Sequence, residues 1–418
     1  MADNQIHAGS VIQVRSAIVG GGPAGMMLGL LLARSGVEVA VLEKHADFLR
    51  DFRGDTIHPS TLELLHELGM LDEFLKRPHQ QAQRIRGVIG DEELLVADLS
   101  RLPTRSKFIA FMPQWDFLDF VALKARRYPT FQLHMRAEVT GLVEQNGRVV
   151  GVRASTPKGP LEVRADLTVG CDGRHSTVRQ QAGLPVEDLG APIDVMWMRI
   201  SRRPGDPEQF VGRFNRGTVF VMIDRGDYWQ CGYVIRKGGF DKIRAAGLAA
   251  LHDNIARIAP FLRGRLQELN DWRQIRLLTV LVDRLRVWHR PGLLCIGDAA
   301  HAMSPVGGVG INLAIQDAVA AANILAGPLR DRRVSDDDLH RVERRREFPT
   351  RMTQRLQLFI HRNVIDRVVT SDRPTSLPWY LRLLLKIPLA RRIPAYIIGI
   401  GFRPEHVHTE DVFARSNE

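Results

Sequence analysis

Cysteine is nearly missing: three occur in 418 residues, Cys171, Cys231 and Cys295, with no metal-ligand spacing among them. That scarcity excludes a disulfide framework and a zinc-type site, and it suits a reducing, cytoplasmic compartment. Long hydrophobic runs are missing too. The apolar stretch 28–33 is far shorter than the roughly 20 residues that a bilayer-spanning helix needs. The opening segment 1–16 is polar and lacks the apolar core of a secretory signal, so none is expected. Low-complexity tracts and internal repeats are absent, which removes disordered and solenoid readings. The remaining composition, 44% hydrophobic and 25% charged, is that of a globular chain long enough for two domains.

Acidic residues are the scarcer charge: 58 Lys and Arg face 47 Asp and Glu, a formal net charge of +11. Nucleic acid, an anionic membrane surface or anionic small molecules could each use that excess. A nucleic-acid reader needs a recognisable module or a Lys/Arg stripe interleaved with aromatics. The chain has neither, so no nucleic-acid partner is expected and most arginines read as solvated helix faces.

What is present begins with a short apolar run at 16–20, read as a buried parallel strand. A glycine-rich turn follows, then a helix over 26–34 ended by Gly36, then a second strand over 37–42 closing on Glu43. Helices are predicted over 61–68 and 115–127, and strands over 131–135, 139–144, 149–154 and 167–170. Gly147 marks a hairpin. From 193 to 235 the pattern turns to period two, the mark of a separate antiparallel sheet. A strand at 293–297 and an alanine-rich helix at 312–325 come next, and an arginine-rich helical region after Gly327 closes the chain. The fold class is therefore α/β: a Rossmann-type nucleotide-binding domain, a second antiparallel-sheet domain and a helical C-terminal segment. The expected boundaries give the first domain residues 1–75, 101–185 and 277–340. The second takes 76–100 and 186–276, and the C-terminal region 341–418.

Three motifs carry chemistry. In Gly20-x-Gly22-x-x-Gly25, with Pro23 and Ala24 opening the helix, the first glycine permits a tight turn and the second lets backbone approach a pyrophosphate. The third allows close helix–strand packing, and Glu43 can accept hydrogen bonds from ribose hydroxyls. An acid there repels a ribose phosphate, which favours FAD or NAD over NADP. The second motif, Asp172-Gly173-Arg174-His175-Ser176, reads by itself as a turn and helix cap. The third is Gly297-Asp298-Ala299-Ala300-His301, followed by Pro305, Gly307, Gly308, Gly310 and Asn312. It makes a second hydroxyl- or anion-binding turn, with free N–H groups at the next helix start. His301 is read as a packing residue rather than a base.

In this order the three motifs resemble the para-hydroxybenzoate hydroxylase family, the single-component class A flavoprotein monooxygenases, from about residue 14 to 325. Arg53 and Gln114 match family positions near the flavin. The resemblance implies FAD held by Gly20, Gly22, Pro23, Ala24, Gly25 and Glu43, with Asp298 on the ribitol and pyrophosphate side. It implies that Asp172 serves both FAD and a passing NADH or NADPH. Gly310, Ile311 and Asn312 would offer backbone donors to the flavin's pyrimidine edge, and Pro305 would lie at the substrate. The implied reaction is hydroxylation through a flavin hydroperoxide, with no separate NAD(P)H domain. No metal and no catalytic base are assigned.

Trp197, Phe220, Met222 and Tyr233, read as alternating on one face of the second sheet, are expected to line an apolar pocket for an aromatic or quinone-like substrate. Packing under the sheet is the competing reading for each. A halogenase is disfavoured because 196–200, Met-Trp-Met-Arg-Ile, does not fit that group's tryptophan-rich signature. A flavin reductase of the geranylgeranyl-reductase type and a non-catalytic, membrane-docking flavin module stay as alternatives. The basic, proline-broken tail 377–401 is read as packing back on the fold in preference to lying on an anionic membrane.

Overall fold

The computed structural model describes residues 10–49, 56–90, 92–207, 211–215, 217–370 and 392–414. Arg53 and the tail residues 371–391 lie outside them. The first sheet runs His289–Arg290, Leu293–Cys295, Gly159–Gly170, Ser10–Val19, Val39–Glu43, Phe131–Met135. Apart from the first pair, all neighbours are parallel. A meander of Glu138–Gln145 and Arg148–Thr156 joins it antiparallel to Gly159–Gly170. The hairpin turns on Asn146 and Gly147, both at positive φ, 51° and 76°, the backbone that a two-residue turn demands.

The longer helices are α1 (Pro23–Arg34), α2 (Pro59–Glu67), α3 (Gln114–Ala125), α4 (Phe240–Ile258), α5 (Gly310–Arg330) and α6 (Asp336–Ile360). Helix α1 is apolar nearly all round because it lies between the sheet, α3 and α5. It can lie flat only because residue 29 lacks a side chain: a Cβ there would come within 2.8 Å of Val41 and 2.9 Å of Phe131. Helix α2 starts at Pro59, whose missing N–H falls at a position with no helical partner anyway. Among the described residues one helical stretch, Val306–Arg330, is long and apolar enough to cross a bilayer, but 78% of its apolar window is buried in the core.

The second sheet has seven strands, ordered Arg276–Leu278, Ile193–Ser201, Tyr228–Arg236, Thr218–Asp224, Val211–Asn215, Arg84–Ile89, Glu92–Asp98. Only the pairing of Val211–Asn215 with Arg84–Ile89 is parallel. One face packs on α4 through Leu251 and Ile255. The other meets Val306, Ile365 and Val368 from the C-terminal half of the chain.

Helix α6 starts with a capping box, Ser335 and Asp338 exchanging side-chain-to-backbone hydrogen bonds. It runs into a π-helical turn, His361–Ile365. The described end of the tail, Arg392–Gly399, packs back through Ala395 beside Leu99 and Leu102.

Candidate active site

The strand Ser10–Val19 delivers the chain to Gly20, where φ is +104° and a Cβ would stand 2.5 Å from the Cys171 carbonyl oxygen. Only glycine fits. At Gly25 a Cβ would sit 2.0 Å from the Gly20 carbonyl oxygen, so the third glycine lets α1 close on the loop. Gly22 differs, because a Cβ there would meet nothing within 4 Å. It is the N-cap of α1, which no side chain caps. A helix start with open space before it is the cradle a pyrophosphate requires. Glu43 ends its strand over this loop: Oε2 accepts from the Gly21 N–H at 2.9 Å and Oε1 from the His45 N–H at 3.0 Å.

The other two motifs arrive at the same sheet edge, after Gly159–Gly170 and Leu293–Cys295, which pair in parallel. Asp172 accepts from Ser176 Oγ at 2.5 Å and from the Val178 N–H at 3.1 Å, while Ser176 caps the helix from the Arg179 N–H. The turn-and-cap reading thus describes what its carboxylate does within the chain, and burial holds its pKa above the usual value. At Gly297, φ is +60° and a Cβ would press on Ala24 and Ala314 at 3.1 and 3.2 Å, so this turn wedges between α1 and α5. Asp298 follows half-buried.

Gly310 and Ile311 open α5, whose N-terminus again has no side-chain cap. The Asn312 side chain is fully engaged: Oδ1 accepts from the His58 N–H at 2.9 Å and Thr61 Oγ1 at 2.8 Å. Its Nδ2 donates to the carbonyls of Thr56 at 3.0 Å and Gly308 at 3.3 Å. That ties the loop before α5 to the start of α2. Gln114 is the first residue of α3 and half-buried. The residues around all three loops fit an extended dinucleotide: two uncapped helix starts, a vacated Cβ position and an acid above the glycines.

The expected pocket wall needs correction. Phe220 and Tyr233 face each other across neighbouring strands and, with Met222, pack against α4 on the outer face. Trp197 pairs instead with Gly232, itself opposite Val221, and points to the opposite face. Side chains alternate along a strand, so Trp197 and Tyr233, one register step apart, cannot share a face. The indole lies over Gly232, where a Cβ would come within 3.0 Å of Cζ3. Trp197 and Val221, both half-buried, belong to the two apolar clusters on the inner face, one of which includes Val306 beside Pro305. Neither Val221 nor Val306 stands out in the sequence: cross-strand register places Val221 beside Trp197, and tertiary packing alone brings Val306 to the same cluster.

His301 is a packing residue in a charged setting: Nε2 lies 2.5 Å from Asp317 Oδ2, and the ring sits 5.0 Å from Trp288. Asp317 also accepts from the Gly297 N–H at 3.0 Å and pairs with Arg346 at 2.9 Å, and Arg346 reaches Glu405 at 3.1 Å. Among the described residues His289, His340 and Glu343 converge as metal ligands would. Glu343 Oε2 accepts from the Trp288 N–H at 2.9 Å and lies 2.8 Å from His289 Nδ1. The three cysteines are buried and free.

A family model described as an FAD binding domain matches residues 13–356. The chain is similar to 6-methylpretetramide 4-monooxygenase of Streptomyces rimosus, 34% identical over 383 residues, 91% of this chain and 89% of that one. It is also similar to para-nitrophenol 4-monooxygenase of Pseudomonas sp. strain WBC-3, 25% identical, covering 79% and 82%. Among solved structures, PqsL, a probable FAD-dependent monooxygenase from Pseudomonas aeruginosa, superposes with a TM-score of 0.71 at 20% identity, covering 86% of this chain and 97% of that one. The flavin-dependent brominase Bmp2 reaches 0.73 at 16% identity over 93% of each chain. At such identities the likeness is one of fold alone. Three turns gathered on one sheet edge and a family match over most of the length lead to one conclusion: the chain belongs to the FAD-binding family of class A flavoprotein monooxygenases and is an FAD-dependent monooxygenase.

Proposed function

We propose that the protein hydroxylates an electron-rich ring of a polycyclic, phenolic or quinone-like small molecule, with NADH or NADPH as reductant. One observation carries this reading: the 34% identity to a relative named 6-methylpretetramide 4-monooxygenase spans about nine-tenths of both chains. Bound FAD supplies electron transfer and oxygen activation. The chain supplies position, charge and exclusion of water.

Gly20, Gly22, Pro23, Ala24, Gly25 and Glu43 hold the ADP half in this reading. Arg53 and Gln114 border the flavin, Asp298 meets the ribitol side, and Asp172 lies where a nicotinamide passes. The uncapped α5 start at Gly310, Ile311 and Asn312 would present its positive dipole end and free N–H groups to the electron-rich edge of the flavin. Trp197, with Val221 and Val306, offers apolar walls, and Pro305 closes the floor between them. Phe220, Met222 and Tyr233 support this wall from behind. The sheet pairing of 84–98 with 211–215 supports assigning that early segment to the substrate domain. The packing of Ala395 on Leu99 and Leu102 supports a tail that belongs to the fold.

The test is a screen of phenols, quinones and polycyclic aromatic polyketides, with NAD(P)H use, labelled O₂ and product mass recorded. A product heavier by one labelled oxygen atom is expected. Label found only in water or peroxide across the panel would reject hydroxylation in favour of a reductase or oxidase.

A further inference from the structure

Helix α6 and the first residue of the π-helical turn after it bring three polar side chains to the loop that carries Pro305. Gln354 Nε2 donates to the carbonyls of Asp283 at 2.7 Å and Ala302 at 3.2 Å. Gln357 Nε2 donates to the carbonyls of Ser304 at 2.9 Å and Val306 at 3.0 Å, while its Oε1 accepts from the Ser304 N–H at 3.1 Å. His361 Nε2 lies 2.7 Å from Ser304 Oγ, which also accepts from the Val306 N–H at 3.2 Å. Positions 354, 357 and 361 share one helix face. Gln354, Gln357, His361 and Ser304 are 0–3% exposed.

We propose that Gln357 and His361 are positioning residues for oxygen transfer, latching 304–306 and so fixing Pro305 at the substrate. The inference rests on the preceding placement of Pro305 beside the substrate. Two alternatives fail to account for the arrangement. If the glutamines only anchored α6, apolar side chains would suffice, and the helix is already anchored by Leu339, Val342 and the Arg346 ion pairs. If the loop only needed its buried polar groups satisfied, separate partners would do. Instead one amide grips the residues on both sides of Pro305, which itself has no N–H to offer.

The same segment continues into the π-helical turn, and its Ile365 and Val368 pack in the cluster that holds Trp197 and Val306. A single support therefore bears both the loop and the substrate wall. π-Turns inside helices are often found at functional sites, since the extra residue re-aims a side chain. Burial lowers the His361 pKa to about 4, so the ring is neutral and meets Ser304 as a hydrogen-bond partner, not as a charge.

The experiment compares holoenzyme of wild type, Gln357→Glu, His361→Ala, His361→Gln and Ser304→Ala. Gln357→Glu keeps the bond from Ser304 N–H but removes both donated bonds. Hydrogen exchange of peptides spanning 302–309 is read first, then the visible circular dichroism of bound FAD, then product per NAD(P)H with the panel substrate turned over fastest. Expected are roughly tenfold faster exchange in that segment alone, a changed flavin dichroism and a fall in product of up to about a hundredfold. FAD content and NAD(P)H use should stay within a few-fold of wild type, with His361→Gln restoring most of what His361→Ala loses. Unchanged loop exchange overturns the latch. A loosened loop with unchanged dichroism and coupling makes it structural only, and also overturns the proposal. If Gln357→Glu does not fold, Ser304→Ala, which removes only a hydroxyl, decides on the same readouts. If no panel member is hydroxylated, the hydroxylation reading suffers alone, and exchange and dichroism still decide the latch.

Discussion

Gly22 and Gly25 lie three residues apart and are glycine for different reasons. A side chain at Gly25 would overlap the Gly20 carbonyl oxygen at 2.0 Å, whereas one at Gly22 would enter empty space. Gly22 also has ordinary extended backbone, φ −75° and ψ −176°, which any residue adopts. Gly22→Val should therefore leave apo-protein stability within about 0.5 kcal/mol of wild type and yet abolish FAD binding, because the branched side chain fills the phosphate space. Gly25→Ala should disrupt the fold itself. Thermal unfolding of apo protein beside an FAD titration separates the two. A Gly22→Val protein that still binds FAD normally would mean that the pyrophosphate lies elsewhere.

At the scale of elements, α6 is tied to the Gly297 turn without contributing a residue to it. Arg346, 1% exposed, pairs with Asp317, and Asp317 in turn holds His301 and the Gly297 N–H. One ion-pair chain thus ties α6, α5, the turn before Asp298 and the 403–405 segment. Removing Arg346 takes a shared cation from two buried carboxylates, leaving Asp317 with His301 and Glu405 with Arg345, at a cost of up to about 3–5 kcal/mol. Arg346→Met should show that loss in urea unfolding and lower FAD affinity as the Gly297 turn loosens. Arg346→Met combined with Asp317→Asn should lose less than the single change, because the more deeply buried of the two carboxylates that Arg346 serves no longer carries a charge. Equal losses in both variants would show that packing, not charge, sets the cost.

For the whole molecule two of the buried histidines, His58 and His361, set an acid limit. His58 is lowered to about 4 by burial, against the opposing hydrogen bond to the Ile398 carbonyl, and His361 is lowered to about 4 by burial. In the unfolded chain both take up protons near the usual value of 6.5, before the folded protein does. The unfolded state then binds more protons, so stability is full above that value and falls as pH drops toward 4. The unfolding temperature should decline through that window, and His361→Gln should flatten the decline. A profile unaffected by replacing either histidine would place the acid sensitivity on the carboxylates.

Much of this was legible in the residues themselves. The glycine turn, both flanking strands, Glu43 and the two later aspartate turns are local: a tight turn, a parallel strand's apolar run and a helix start each leave a mark within about ten residues. The FAD-binding role followed from their order along the chain. Helix α4 left no such mark, since its apolar residues are interrupted by alanines, charges and Gly247, whose φ of +87° breaks the helix. Which face of the second sheet Trp197 occupies depends on its pairing with Gly232, thirty-five residues away in the chain, and a single register step reverses the answer. The latch of Gln357 and His361 on 304–306 joins positions over fifty residues apart through backbone carbonyls, which carry no sequence at all. Local backbone chemistry wrote the glycine-rich and aspartate turns into the sequence. The apolar face that Trp197 occupies and the grip of Gln357 and His361 on 304–306 arise from strand register and long-range packing, and only the folded chain decided them.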